Sequence, residues 1–356
     1  FSKKGNCSAG VSRQMNGRLG KVDNCQVGVF AALCNQRHSA LIGERLYLPK
    51  QWSCDEQRCQ KAGIPLQERQ YKEKIALAKE LVDETMTTGM RYGLVLADAV
   101  YGSLDFAHYL NDRSLYFALN TRANQPVYLT DPELFVPPTR KGAKGRPCGK
   151  LKTVHKPIQV DEFISRITPA EWKSVRVRRG RKGYLRVQAY AQRVYYWSPK
   201  DSLPPAEWWL VVTKDEDSGD LKYFMSNLPA ATPLQRLVRK HRHRYWIERS
   251  FQDAKTSVGM GQYQVRSWHG WHHHMSLCML AMLFMLTVKI DEAETNEMLS
   301  YQDIVLCMSV LLPSSLKSIE DVERAIANRH QKRLQAEKSA LRRQKRQQQT
   351  RSKVPK

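Results

Sequence analysis

Acids are scarce in this sequence: 34 Asp and Glu stand against 58 Lys and Arg, for a net charge of +24. None of the eight cysteines forms a Cys-x-x-Cys pair, which argues against a zinc ribbon or finger. Cys54 and Cys59 lie close together but have no matching second pair, and read as incidental. No signal peptide is visible, and a disulfide framework is not expected in a chain of 356 residues. The longest apolar run, Met275 to Ile290, contains Thr287 and Lys289 and falls short of a typical membrane span, so it reads as a buried helix. Glycine-rich nucleotide loops, Ser/His/Asp arrangements and internal repeats are also missing. These absences leave a soluble protein of a reducing compartment, long enough for one large domain or two to three smaller ones.

The basic excess is concentrated. Residues 137–200 carry 17 Lys/Arg against 3 Asp/Glu, and residues 324–356 carry 12 against 1. Two cationic regions on a nearly neutral body call for a polyanion, and nucleic acid is the usual one. An anionic membrane surface would want an amphipathic basic helix or a lipidation motif, and neither is evident.

Residues 1–20 are rich in Gly, Lys, Arg and Asn and read as loop. Cys25–Cys34 and Ser39–Leu48 read as a hairpin turning at residues 35–38, and Ile75, Leu77, Ala78, Leu81, Val82 and Met86 predict an amphipathic helix over 68–88. Leu94–Ala97 is a short apolar run of buried-strand type with Asp98 at its C-terminal end, where open α/β sheets place their ligands. The same Asp98 could equally cap the next helix, 104–110. A strand at 115–119 follows.

Residues 123–233 are Pro-, Gly- and base-rich at first, then β-prone at 174–178, 185–197, 208–213 and 221–226. They read as a β-rich insertion with a basic edge. Arg140, Lys141, Lys144 and Arg146 in the proline-glycine loop, and Arg178, Arg179, Arg181 and Lys182 around a turn, are candidate phosphate contacts. Lys144-Gly-Arg-Pro147 has the composition of a minor-groove hook, a weak signal by itself.

Residues 236–255 hold no Pro or Gly and read as one helix, on which Arg244, Glu248, Gln252 and Lys255 share a face. A carboxylate among bases suits a metal-dependent site for phosphate esters; an exposed helix with i,i+4 ion pairs has the same pattern. The run Trp268-His-Gly-Trp-His-His-His274 suggests either a transition-metal site or packed tryptophans with solvent-facing histidines. Glu44, Asp105 and Asp112 read as surface or capping acids. The tail beyond Ile326 reads as a frayed helix or disordered polyanion-binding segment.

Several stretches together resemble the DDE-superfamily transposases of insertion sequences. They are Leu19-Gly-Lys-Val-Asp-Asn-Cys-Gln-Val-Gly-Val29, Leu96-Ala-Asp-Ala-Val-Tyr-Gly102, His241-x2-Arg244-x3-Glu248-x6-Lys255, and Gln262 to Trp271 ahead of an apolar helix. The third is similar to the signature Tyr-x2-Arg-x3-Glu-x6-Lys, with His241 in the Tyr position. The resemblance covers residues 1–290.

It implies an α/β fold: an RNase H-like mixed sheet flanked by helices, with a β-rich insertion domain and a basic helical or disordered C-terminal tail. The expected divisions are 1–122 and 234–323 for the core, 123–233 for the insertion and 324–356 for the tail. It further implies Asp98 and Glu248 as catalytic metal ligands for two Mg2+ ions, with Mn2+ able to substitute, and a first catalytic Asp just upstream of Phe1. Arg244 and Lys255 would clamp the DNA backbone, and His241, Arg266 and Trp268 would help hold DNA ends. The implied activity is cleavage at element ends and strand transfer into target DNA by a self-associating, cytoplasmic, nucleoid-associated prokaryotic transposase with no membrane partner. A noncatalytic DNA-binding relic and a related metal-dependent nuclease are the alternatives.

Overall fold

The computed structural model describes residues 1–17, 19–35, 38–137, 150–180, 183–199, 203–216, 218–294, 299–312 and scattered positions from 318 to 342, with the backbone alone at 178–180 and 183–184. Two compact units divide after Asp291.

The first unit begins with a hairpin of β1 (Ser12–Asn16) and β2 (Lys21–Cys25), where a loop was expected. Gly20, at φ +63°, supplies the left-handed turn residue that the connection needs. A second hairpin, β3 (Gly28–Cys34) and β4 (Ser39–Leu46), matches the sequence reading. Short helices α1 (Lys50–Ser53) and α2 (Glu56–Lys61, capped by the Asp55 carboxylate) lead to α3 (Lys74–Thr87). Then come β5 (Val95–Ala97), α4 (Leu104–Asp112, capped by Ser103) and β6 (Phe117–Asn120).

A small pair, β7 (Pro126–Val127) and β8 (Ile158–Gln159), is followed by α5 (Val160–Ser165) and four longer strands. These are β9 (Lys173–Gly180), β10 (Gly183–Tyr196), β11 (Ala206–Asp215) and β12 (Leu221–Ser226). The strands expected to form a separate insertion instead extend the sheet that ends in Asp98. Its order is β5-β6-β12-β11-β10-β9, and β5–β6 is its parallel pair. Phe224, Met225 and Ser226 of β12 pair with Asn120, Leu119 and Ala118 of β6, so β6 becomes a central, fully buried strand. The mixed sheet flanked by helices is compatible with an RNase H-like fold.

Two helical segments bridge this sheet and the β3–β4 hairpin. Leu77 and Leu81 of α3 pack on Val29 of β3, while its Ile75, Ala78 and Val82 pack on the cluster around Phe106, Phe117 and Leu119. The stretch read as one helix over 236–255 is two, α6 (Leu234–Arg242) and α7 (Tyr245–Ser257), broken by a turn at His243-Arg244. Leu237 and Val238 of α6 cover Val175, Val187, Val211 and Phe224 on the large sheet. Helix α7 rests on the hairpin instead, through a 2.6 Å hydrogen bond between Ser250 and Ser39 and an edge-on contact of Phe251 with Phe30.

The last helix of this unit, α8 (Trp268–Asp291), packs mainly on β4. It is long and apolar enough to cross a membrane by length and composition, with a mean hydropathy of 1.5. It was expected to be buried. Only one side is, through Trp271, Met275, Cys278, Met282, Met285 and Leu286; Leu277, Leu280, Leu283, Phe284 and Ile290 face outward.

The second unit contains α9 (Tyr301–Leu311), opened by a reciprocal capping box between Ser300 and Asp303. Most of the basic tail lies outside the described residues.

Candidate active site

Asp98 follows directly on β5. Its Oδ1 accepts a 2.9 Å hydrogen bond from the Val100 amide, and its backbone oxygen accepts one of 3.1 Å from Tyr101. The carboxylate therefore closes its own turn; the cap of α4 is Ser103. The two residues that trail it explain the motif. Tyr101 is buried in the core, which pushes its phenol pKa up, and the neighbouring Asp98 charge adds to that. Gly102 lies against the end of β6, where a β-carbon would stand 1.8 Å from the Asn120 carbonyl oxygen, so no larger residue fits.

Asn120 links this strand end to the helical bridge. In the parallel register Ala97 pairs with Leu119, which sets Asp98 and Asn120 side by side at the C-terminal ends of their strands. The Asn120 side-chain oxygen bonds His241 Nε2, and the His241 ring stacks on Phe224 at 3.9 Å and 6°. His241 is 3% exposed, so it has no face to offer DNA, contrary to the expectation from sequence. Burial, then Arg244, Arg242 and Lys222, hold its pKa down to about 3. The ring is neutral, with Nε2 donating to Asn120 and a buried Nδ1 that has no partner among the described residues.

Glu248 lies seven residues beyond His241, about 10 Å along a helical path. Its Oε1 meets Arg244 Nη2 at 2.9 Å, with the Glu248 side chain 57% exposed. The structure thus ties Asp98 and the Glu248 helix to one end of the β5–β6 pair. No hydrogen bond joins the two acids, and among the described residues no three His, Cys, Asp or Glu side chains form a metal-binding group.

A family model described as DDE superfamily endonuclease matches residues 1–184, slightly more than half of the sequence. The chain belongs to this family. A probable transposase for insertion sequence element IS701 from Microchaete diplosiphon is 25% identical over 271 residues, which cover 74% of this chain and 57% of that protein. The chain therefore spans little more than half the length of the curated relative it matches.

The remaining expected contact residues of this DDE-superfamily endonuclease are scattered. The Lys255 ammonium stands 5.9 Å from the Phe1 ring and 5.7 Å from that of Phe251. Arg266 is exposed, and its backbone oxygen accepts from the Ala9 amide. Trp268 is half-buried: its amide bonds the Ala62 carbonyl and its ring packs on His272 at 4.4 Å. Arg140, Lys141, Lys144, Arg146, Arg181 and Lys182 lie outside the described residues, and Arg178 and Arg179 are described by backbone alone, on β9.

The histidine run is divided among separate partners. His272 Nδ1 meets Glu44 Oε1 at 2.7 Å, His274 packs on Tyr263 and meets the Cys278 thiol, and His269 and His273 are exposed. The Glu44–His272 pair was missed in the sequence, which gave Glu44 as a surface or capping acid. Glu44 is 8% exposed. The register of β3 and β4 slips between Ala31 and Ala32, leaving Ile42 as the bulged residue. That extra residue shifts the inward positions from Leu41 to Glu44 and Leu46, and no periodicity in the sequence announces it. Asp105 is an exposed ion-pair partner of Lys79 at 2.7 Å.

Proposed function

We propose that this chain is the catalytic part of a DNA transposase, which cleaves phosphodiesters at the ends of an insertion element and transfers the strand to target DNA. The observation that carries the reading is the tie from Asp98 through Asn120 and His241 to the Glu248 helix, which gathers two acids and Arg244 at one sheet end. The family supports phosphodiester chemistry, and the IS701 relative supports transposition.

Asp98 and Glu248 offer hard, solvent-accessible carboxylate oxygens, which suit Mg2+ or Mn2+. Bound there, two such ions roughly 3.5–4 Å apart would activate the attacking oxygen and stabilise the leaving one. Asp98 is placed to bridge and Glu248 to complete one position. The chain's own bases do the rest. Arg244, already oriented by Glu248, holds a nonbridging phosphate oxygen near the scissile bond, and Lys255 and Arg266 track the flanking backbone. Bases at 140–146 and 178–182 add sequence-independent phosphate contacts.

The test is Mg2+-dependent nicking of DNA carrying the element's ends by the full-length gene product. Asp98→Asn and Glu248→Gln should each abolish nicking while DNA binding persists. Undiminished cleavage by either variant refutes the site. A noncatalytic DNA-binding relic is the second reading, favoured by the absence of a third acid beside Asp98 and Glu248 among the described residues. It predicts salt-sensitive DNA binding and no nicking under any divalent cation.

A further inference from the structure

Helix α8 carries two stripes of large side chains on opposite sides, and only one is used by the fold. The inner stripe is Trp271, Met275, Cys278, Met282 and Met285. The outer one runs through residues 269, 273, 276, 280, 283, 287 and 290, an unbroken alternation of four and three that is the spacing of a helix–helix seam. At its centre Leu277, Leu280, Leu283 and Phe284, with Ile290 further on, are each about half exposed, at 48–61%. Five such side chains in one row make an apolar patch of several hundred Å2, the size that marks an interaction surface on a protein in water.

The polar residues at the two ends of the stripe indicate what covers it. Its N-terminal end shows His269 and His273, with Arg266 one turn before. Asp291 closes its C-terminal end, and Glu292 and Glu294 follow in sequence. An acid at a helix C-terminus and basic side chains at the N-terminus both oppose the helix's own dipole. In an antiparallel neighbour of the same sequence each end meets its complement, and the two dipoles also align favourably. A parallel pairing would set Asp291 against Asp291.

We propose that the outer stripe of α8 is a self-docking surface, on which a second copy of this chain lays its own α8 antiparallel. The two-fold axis passes near Leu280 and Leu283, so the leucines of one copy fill the gaps between those of the other. Contact along the stripe by both copies buries on the order of 1,000 Å2, the lower edge of a specific interface. The dimer forms without DNA, and the proposal does not rest on the transposition reading.

Light scattering on the purified chain should give twice 41.2 kDa without nucleic acid. Leu280→Lys with Leu283→Lys should return it to a single copy with an unchanged circular-dichroism melt, because both side chains are exposed. The orientation is tested in a background where exposed Cys7, Cys54 and Cys307, and Cys148, are replaced by serine. A short bismaleimide should join Leu280→Cys to its own copy and leave Ile290→Cys unjoined, since the two copies of residue 290 lie about 25 Å apart in this arrangement. A monomer at all accessible concentrations overturns the proposal, as does equal cross-linking at both positions. Association that appears only when anionic lipid vesicles are added also overturns it, because the stripe would then serve a membrane surface.

Discussion

Lowering the pH from 7 to 5 should remove about 2 kcal/mol of stability through His241 alone, and His241→Phe should abolish that loss. In the native state the ring is held neutral down to about pH 3, by burial first and by Arg244, Arg242 and Lys222 next. In the unfolded chain it titrates near 6.5. Between those values the unfolded state takes up a proton that the native state refuses, so stability is complete above about 6.5 and is lost as the pH falls toward 3. Each pH unit inside that window is worth about 1.4 kcal/mol, and a drop from 7 to 5 crosses about one and a half of them. Phenylalanine keeps the stack on Phe224 and cannot titrate. It also leaves the Asn120 side-chain oxygen without its donor, which costs roughly 1–2 kcal/mol at pH 7. The variant should therefore be the weaker protein at pH 7 and draw level near pH 5. Urea unfolding followed by tryptophan fluorescence at half-unit pH steps measures both curves, and subtraction cancels the other titrating groups. A variant that keeps the acid slope of the parent would show that His241 is not the neutral, buried link described above.

Gly102→Ala should be severely destabilising, by about 3 kcal/mol or more, because its new methyl meets the Asn120 carbonyl at 1.8 Å and only backbone movement relieves it; a melting temperature within a degree of the parent's would contradict the packing. Glu44→Ala should cost roughly 3 kcal/mol by stranding His272 beside β4, and Glu44→Gln, which keeps an acceptor for Nδ1, should recover most of it in the same denaturation assay. Glu248→Gln removes an ion pair that is more than half exposed, so its unfolding midpoint in urea should stay where it is, making loss of nicking a chemical and not a folding effect. Neutralising Arg140, Lys141, Lys144 and Arg146 together should weaken DNA binding and lower the slope of affinity against salt by up to about four; an unchanged slope would return that loop to solvent.

Much of the local structure was legible in advance because it depends on short-range pattern. The apolar run before Asp98 gave β5, the spacing of Leu77 and Leu81 gave α3, and β12 was read at its observed ends, Leu221 and Ser226. The candidate acids were also legible, since a short apolar strand ending in Asp and a basic helix holding one Glu are features of neighbouring residues. The break between α6 and α7 was not: His243 and Arg244 have ordinary helical preferences, and the turn exists because α6 rests on the large sheet and α7 on the hairpin. His241 misled for a related reason. A histidine among arginines reads as surface, yet its position on α6 faces Phe224.

The sequence by itself determined the family, the order of helices and strands, the two acids and the cationic character, because each is carried by residue identity and local spacing. Tertiary structure alone decided that the strands after residue 172 extend the sheet of Asp98, that a bulge at Ile42 turns Glu44 inward, and that half of an apolar helix faces out. The physical reason is common to all three. Register, bulges and the choice of covered face are settled by which surfaces meet across long separations in the chain, and no window of neighbouring residues contains that information.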